Sequence, residues 1–197
     1  TINEVVQGMT SSGNGTPGDA LAEDGMYVGP AFATFPFGTV NVLALDIGLE
    51  QRAEAMAEMI ANGEEVNATV GIAGSRTFLI TAGVGLDSAA VNYLKPWLKR
   101  VFGWGAYIFS MVIALIRDGG TAFEAEIDGF KVRGSTIVVI NVSRFGGPHV
   151  VSANTRVDDG ALTVIVALSM GRWNLLRYGL AFGLGRVPKV KDKIVKA

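Results

Sequence analysis

The 197-residue sequence contains no cysteine and only one histidine, His149. The absence of cysteine excludes disulfide bonds, thiolate metal sites and thiol nucleophiles together, and it leaves the redox compartment open. The histidine lies beside a proline and two glycines, without an acidic residue nearby in the sequence. This setting favours a loop or packing role over a metal site or a catalytic base.

An excess of charge of one sign is also missing, since 17 lysines and arginines face 18 acidic residues and leave a net charge of −1. This balance gives no general attraction for nucleic acid, so we expect no nucleic-acid partner. The longest apolar run, residues 103–116, is shorter than the ~20 residues that cross a bilayer and predicts a buried helix. No charged and then apolar leader is visible, so we expect no secretion signal and a cytoplasmic protein.

An apolar fraction of 49% is enough for a substantial core, and the pattern along the chain predicts an α+β fold that changes character near Gly63. The first part, residues 1–62, begins with a short helical pattern. After it the sequence predicts a loop or insertion over residues 10–29, a buried strand over Ala31–Phe35, and two helices that end at Gly48 and at Asn62-Gly63.

The second part, residues 63–197, is predicted to be mostly sheet with helical insertions. Gly74-Ser75 and Asp128-Gly129 fit hairpin turns, the second of type I′. The spacing of apolar residues also predicts helices over Ser88–Val101, Ala106–Arg117 and residues 171–187, and a strand over Ala161–Ser169.

The turn PFGTVN, residues 36–41, can be explained in two ways. As a phosphate cradle, Gly38 would let the backbone approach an anion, Thr39 would offer a hydroxyl and an amide, and Asn41 would stand at a helix start. As a purely structural element, the same residues make a strand-to-helix turn with a good cap. Short glycine motifs are frequent by chance, so the spacing alone favours the plain turn.

Acidic residues stand at two further positions of interest. In RVDDGA, residues 156–161, two carboxylates precede a glycine, a sequence that most often makes an exposed turn. The same loop can hold a hard cation, because a carboxylate and backbone carbonyls supply the oxygen ligands that Mg²⁺ prefers. Asp87, after GVGL, could line a cleft or cap the helix predicted over Ser88–Val101, and capping is the simpler role.

Two stretches taken together resemble a known family. TINEVVQG followed by PFGTVNVLALDIGL is similar to the diacylglycerol kinase-like lipid kinases, which include bacterial diacylglycerol kinases and sphingosine kinases. In that family a Gly-Gly-Asp-Gly-Thr loop runs into an Asn-Glu-Val-Val helix, and a Pro-x-Gly-Thr-x-Asn turn follows. Thr1 would be the threonine of the loop, while Pro36, Gly38, Thr39 and Asn41 match the turn position for position.

Later segments continue the resemblance. FLITAGVGLDSAAV is similar to the family's glycine-rich segment, with Leu86 in place of an aromatic residue and Asp87 matching an aspartate. GWGAYIFSMVIAL resembles its Gly-x-x-x-Tyr helix, and INVSRFGGPHVVSANTRVDDGALTV its Asn-x-x-x-x-Gly-Gly run ending in Asp-Gly-x-Leu. Each piece alone is weak, but their order and spacing together are fairly specific.

The resemblance implies transfer of the γ-phosphoryl group of ATP to a lipid hydroxyl, with Mg²⁺ as a cofactor. It implies that residues 1–62 are a remnant of an NAD-kinase-like nucleotide-binding domain, and residues 63–197 a β-sandwich-type domain with an apolar cleft for the lipid. Nucleotide contacts are implied for Thr1, Ile2, Asn3, Gly38, Thr39 and Asn41, a cleft position for Glu4 and Asp87, and Mg²⁺ contacts for the Asp159 side chain and the carbonyls of Arg156 and Ala161.

Departures from the family pattern are also present. The glycines and aspartate before Thr1 are absent, as is the later Asp-Gly-Glu segment with the proposed catalytic base, so we expect an interior fragment without turnover of its own. The loop over residues 10–29 is longer than is usual in the family, Val42 replaces a common aspartate, and Asn154-Thr155 replaces Pro-x-Ala.

Other interpretations stay open. The chain could instead be a relative of NAD or polyphosphate kinases, which share the Gly-Gly-Asp-Gly-Thr loop. The sequence has no clear dinucleotide-binding fingerprint, which counts against this interpretation. A non-catalytic lipid-binding or scaffold domain would use the turn only for structure. The first expected partner is a lipid whose head group is undetermined. The basic tail over residues 186–196 could attract an anionic membrane surface at ~1 kcal/mol per cation. A second copy of the chain could pair at open sheet edges.

Overall fold

The computed structural model describes residues 2–11, 25–27, 29–38, 40–103, 105–118, 122–168 and 195–196. Its helices are α1 (Ile2–Thr10), α2 (Val42–Asp46), α3 (Ala53–Asn62), α4 (Leu86–Tyr93), α5 (Pro96–Phe102) and α6 (Gly105–Asp118). Its strands are β1 (Gly71–Ala73), β2 (Arg76–Phe78), β3 (Thr81–Gly85), β4 (Phe123–Ile127), β5 (Phe130–Ile140), β6 (Thr163–Leu168) and β7 (Val195–Lys196).

The main sheet is antiparallel and is organised around the long strand β5. The first half of β5 pairs with β4 and the second half with β3, while β6 pairs with β5 on its other side and β7 extends the sheet beyond β6. Helices and an antiparallel sheet follow one another as separate blocks, which confirms the α+β class.

Both predicted hairpins are confirmed. Gly74 and Ser75 connect β1 to β2 in a separate two-stranded sheet. Asp128 and Gly129 connect β4 to β5 with φ values of 48° and 78°. Positive φ at both central residues is the signature of a type I′ turn, whose twist matches that of the flanking strands.

Helix α1 packs on β2 through two carboxamides that lie one helical turn apart. The Gln7 Oε1 atom accepts hydrogen bonds from the backbone amide of Thr77 at 2.6 Å and from its hydroxyl at 3.1 Å. The Asn3 Oδ1 atom accepts one from the amide of Leu79 at 3.2 Å. The two side chains therefore satisfy alternate amides along an otherwise open strand edge.

Hydrophobic residues from both sides of the proposed domain boundary share one core. Val6 of α1 and Leu43 of α2 pack in the same buried cluster as Leu79, Val142 and Val157. A second cluster lies between α4 and α6, and a third lies on the main sheet under β5 and β6. The division near Gly63 stays a prediction.

Two predictions of secondary structure are wrong. Residues 31–35 form no strand, because the described residues supply no partner strand to pair with them. The helix predicted over Ser88–Val101 is two helices, α4 and α5, since Pro96 disfavours helical geometry at Lys95 and α4 ends at Tyr93.

The other predicted helices and strands agree with the structure to within a few residues. The helix predicted over residues 171–187 and most of the loop over 10–29 lie outside the described residues. Of the basic tail only 195–196 are described, in β7. Within the described ranges, no helix is long and apolar enough to cross a membrane.

Candidate functional site

The turn around Pro36 and Gly38 and the start of α1 lie at the same groove. This groove has a volume of about 340 Å³ and opens to solvent. Ile2 of α1, the turn residues Pro36 and Gly38, and Asn41 all line it. The remaining lining residues are Thr34, Phe35, Val42, Leu43, Ala44 and Ile80.

Asn41 closes the turn instead of capping the helix. Its backbone is left-handed, with φ 52° and ψ 51°, and it makes no side-chain cap to α2. Its Nδ2 atom donates to the carbonyl of Pro36 at 2.6 Å, and its Oδ1 atom lies where a Cβ on Gly38 would approach to 2.8 Å. The cap predicted from the sequence is therefore wrong, because the amide is used to hold the turn shut.

The first amides of α2 consequently have no side-chain acceptor from the cap position. Amides in the first turn of a helix have no intrahelical partner either. Val42, Leu43 and Ala44, which carry these amides, line the groove. The residues that carry these amides therefore lie at the groove beside Gly38, whose missing side chain makes room for the Asn41 carboxamide.

Two aromatic rings stand at the rim of the groove. Phe35 and Phe37 stack with their ring centroids 5.8 Å apart and their planes 7° from parallel. The side chain of Phe37 is 91% exposed, although it belongs to the same turn as Pro36 and Gly38. Its exposure leaves one ring face open beside the groove.

The other residues predicted to contact a nucleotide divide into two groups. Thr1 and Thr39 lie outside the described residues. Asn3 is half-buried and its oxygen is engaged by the Leu79 amide. Glu4, for which the resemblance implied a cleft position, is exposed on α1. The nucleotide contacts of Ile2, Asn3, Gly38 and Asn41 stay predictions.

The acidic turn RVDDGA is a compact loop in which the two carboxylates have different partners. Arg156 holds Asp158 in a bidentate ion pair, with Nε–Oδ1 and Nη2–Oδ2 distances of 2.8 Å. This pairing lowers the pKa of Asp158 and raises that of Arg156. The Oδ1 atom of Asp159 instead accepts from the amide of Ala161 at 3.1 Å, and its own amide donates to the Arg156 carbonyl at 3.4 Å.

The donors implied for Mg²⁺ fit a hard cation in kind, since the Asp159 carboxylate and the Arg156 and Ala161 carbonyls belong to one turn. A metal would compete with the Ala161 amide for the Asp159 oxygen. Among the described residues there is no group of three or more acidic, histidine or cysteine side chains that could hold a metal. A cation here would therefore depend on one carboxylate and on backbone carbonyls.

Helix α2 ends near this acidic turn. Its last residue, Asp46, accepts hydrogen bonds from the amide of Ser143 at 2.9 Å and from its hydroxyl. The charge of Asp46 also contributes to the raised pKa of Arg156.

Asn141 ties the acidic turn to the sheet. Its side chain is fully buried, and its Nδ2 atom donates to the carbonyls of Thr69 at 2.6 Å and Leu79 at 2.8 Å. Thr69 in turn donates its amide to the Val157 carbonyl at 2.6 Å and accepts from the Gly160 amide through its hydroxyl at 3.0 Å. One asparagine thus fixes the segment that positions both ends of the turn.

Asp87 belongs to a half-buried pair with Tyr107. The carboxylate accepts a hydrogen bond from the tyrosine hydroxyl, and its second oxygen lies where a Cβ on Gly83 would come within 2.1 Å. Burial raises the pKa of Asp87, and the Tyr107 hydrogen bond partly offsets this. Burial and the neighbouring carboxylate raise the pKa of Tyr107.

The capping role predicted for Asp87 is wrong, because α4 begins at Leu86 and its N-cap is Gly85. Sequence reasoning placed Asp87 and Tyr107 in two separate family motifs and missed their contact. Gly83 was the signal in the sequence for the position of Asp87. A glycine four residues before an aspartate leaves space for the carboxylate when the chain folds back on itself.

Comparison with known proteins gives a consistent result. The family model for the diacylglycerol kinase catalytic domain matches residues 1–73. A curated relative, the "Probable lipid kinase YegS-like" of Pseudomonas putida KT2440, is 27% identical over 162 residues, which cover 80% of this chain and 54% of the relative.

Solved structures from Bacillus anthracis str. Sterne agree with this match. The crystal structure of a candidate diacylglycerol kinase is 25% identical, with a TM-score of 0.62 over 85% of this chain and 56% of that one. A second diacylglycerol kinase structure shares the fold at 22% identity and a TM-score of 0.55, over 85% of this chain and 55% of its own.

The chain thus spans about half the length of the relatives that it matches. The family implies use of a nucleotide and usually of a divalent metal. The family model, the relative and the solved structures agree, and they confirm the resemblance of this chain to the diacylglycerol kinase-like family of lipid kinases.

Proposed function

We propose that this chain supplies the phosphate-holding groove and part of the lipid-substrate region of an ATP-dependent lipid kinase. One observation carries the proposal: Ile2, Gly38 and Asn41, which match two separate family motifs, line the same open groove. The groove is also the place where Gly38 and the first amides of α2 come together.

In this proposal the residues of the chain bind and orient the nucleotide. The first amides of α2 would donate hydrogen bonds to the phosphate oxygens, and Gly38 gives the Asn41 side chain the space that it needs to hold the turn. The Asn41 side chain keeps the turn in shape through its bond to Pro36. Such positioning and charge stabilisation provide most of the catalysis in phosphoryl transfer.

The acidic turn would hold the cation through the Asp159 carboxylate and the carbonyls of Arg156 and Ala161. A bound divalent cation there would stabilise the loop that Thr69 fixes next to Val157 and Gly160.

In the complete protein, the oxygen of a lipid hydroxyl would attack the γ-phosphorus of ATP. The bond from that phosphorus to the ADP oxygen breaks, and the hydroxyl proton passes to a base. The acceptor is a lipid alcohol of the diacylglycerol or sphingoid type. Phosphate transfer from labelled ATP to a panel of such lipids by the complete protein would identify it.

Calorimetric titration with ATP and Mg²⁺ tests the groove. In Gly38→Ala the new methyl group would lie 2.8 Å from the Asn41 Oδ1 atom and displace the turn. We expect the affinity for ATP to fall about tenfold or more, the value of one lost hydrogen bond to a charged group. Gly8→Ala is the matched control, because a Cβ there meets no atom within 4 Å. Equal affinities for the two variants would contradict the proposal.

A further inference from the structure

Helix α5 presents large apolar side chains to solvent. Trp97, Val101 and Phe102 are all at least 60% exposed, whereas Leu98 is buried and anchors the helix. Trp97 and Val101 are four residues apart and lie on the same helix face. A tryptophan and a phenylalanine left in water on so short a helix mark a surface that contacts something.

Helix α6 packs against α5 and also exposes large apolar side chains. One side of α6 is buried against α4 through Ala114 and Leu115. On another side Phe109 and Ile116 are exposed, and their separation of seven residues places them on one face. We call Trp97, Val101, Phe102, Phe109 and Ile116 the apolar patch.

The charge around the apolar patch is mostly positive. Residues 95–118 contain four cations, Lys95, Lys99, Arg100 and Arg117, against one acidic residue, Asp118, although the whole chain has a net charge of −1. Lys95 and Arg100 are exposed beside Trp97. A cationic surface with aromatic side chains is complementary to an anionic partner that also offers an apolar layer.

An anionic phospholipid bilayer combines these two properties. Tryptophan is enriched at the boundary between head groups and acyl chains, where lysine and arginine reach the phosphates. Neither α5, with seven residues, nor α6, with 14, is long enough to cross a bilayer. The helices would therefore lie in the interface and not across it.

We propose that the apolar patch, together with Lys95 and Arg100, docks the protein on an anionic membrane surface. The inference rests on the proposed function, because a lipid kinase must reach an acceptor that resides in a membrane. It assigns that contact to α5 and α6, whereas the sequence pattern alone had pointed to the basic tail over residues 186–196.

Co-sedimentation of the whole chain with lipid vesicles tests the inference. Vesicles of equal phosphatidylglycerol and phosphatidylcholine are compared with vesicles of phosphatidylcholine alone. We expect the wild type to bind the anionic vesicles, and Trp97→Ser/Arg100→Ser to weaken the partition coefficient about tenfold, since one cation and one interfacial aromatic side chain are lost.

The β1–β2 hairpin provides a matched control. Ile72→Ser/Arg76→Ser removes one apolar side chain of similar exposure, 54% against 60% for Trp97, and one exposed arginine. We expect this variant to bind like the wild type. Trp97→Tyr/Arg100→Lys keeps an aromatic residue and the charge, so it should bind nearly as well as the wild type, whereas a general packing defect would not be rescued.

Equal weakening in the α5 and hairpin variants would overturn the inference, as would equal binding to neutral and anionic vesicles. Calorimetric titration with ATP on the same proteins separates the two proposals. Wild-type protein that binds ATP but not anionic vesicles refutes the docking surface alone. Protein that binds vesicles through α5 but fails to bind ATP supports the docking surface and refutes the nucleotide role of the groove.

Discussion

Single side chains decide the local geometry at the places where sequence motifs meet. Asp87 can fold against β3 because Gly83 has no side chain, and Tyr107 then supplies the hydrogen bond that a buried carboxylate needs. Asn41 adopts a left-handed backbone, which asparagine tolerates better than most residues, so that its amide can reach Pro36. Both arrangements depend on residue types that cannot be exchanged conservatively.

Replacing Gly83 with alanine should destabilise the protein by ~1–3 kcal/mol, because the added methyl group would lie 2.1 Å from the Asp87 Oδ2 atom. Gly8→Ala should instead stabilise it by ~0.4–1 kcal/mol, since the methyl group meets open space on α1 and alanine restricts the unfolded chain. Urea unfolding of both variants measures the difference. Similar free energies of unfolding for the two would contradict the close approach of Asp87 to β3.

Asp87 should also make stability depend on pH in an unusual direction for a carboxylate. Burial raises its pKa in the folded protein above the ordinary value of ~3.9, so its contribution to stability is complete below that value. The contribution is lost as the pH rises through the folded-state pKa. Wild type should therefore lose stability relative to Asp87→Asn as the pH is raised from ~4 toward neutrality.

Denaturant unfolding of the wild type and Asp87→Asn across this pH range checks the prediction. The asparagine does not titrate, so subtracting its curve isolates the aspartate. Parallel curves would show that the carboxyl group has the same pKa in the folded and unfolded chains, and would refute the effect of burial.

Helices and strands are joined here by a small number of polar side chains. The Asn3 and Gln7 carboxamides attach α1 to β2 and the following segment. Asp46 attaches α2 to Ser143, which follows β5, and Asn141 attaches the end of β5 to the segments around Thr69 and Leu79. These links position α1 and α2 around the groove, so the geometry of the site depends on contacts distant in the sequence.

Asn141→Asp should destabilise the protein by at least ~2 kcal/mol, because a carboxylate cannot donate to the buried carbonyls of Thr69 and Leu79. Asn154→Asp is the same chemical change at an exposed position and should have little effect. Thermal unfolding of both variants compares them. Equal melting temperatures would mean that the Asn141 donors contribute nothing to stability.

Local pattern was sufficient for most of the helices and strands. The hairpin at Asp128-Gly129 follows from turn chemistry, and the end of α3 at Gly63 follows from helix propensity. The strand predicted over Ala31–Phe35 failed because a strand depends on a partner that the local sequence does not reveal. The division of α4 from α5 was readable at Pro96 and was overlooked because the apolar spacing continues across it.

The candidate site was predictable only in part. Motif spacing identified Gly38 and Asn41, but not the role of the Asn41 amide in closing the turn. The contact of Asp87 with Tyr107 and the link from Asp46 to Ser143 join residues 20 and 97 positions apart. Tertiary packing determines such contacts. Hydrophobic periodicity and turn residues indicate local structure, and they do not show which distant residues meet.

Across the whole chain, the groove and the sheet share one structural framework. Val6 and Leu43, next to the groove, pack with Leu79, Val142 and Val157 of the β-rich part. A ligand that binds the groove should therefore stabilise the shared core as well as the turn. The chain covers about half of its relatives' length.

The central claim is that the groove lined by Ile2, Gly38 and Asn41 holds the phosphates of a nucleotide. A crystal structure of the chain grown with ADP and Mg²⁺ tests it most directly. We predict phosphate density in the groove, within hydrogen-bond distance of the Gly38 turn and the first amides of α2. Nucleotide density elsewhere on the protein, with this groove filled only by solvent at saturating ADP, would contradict the claim.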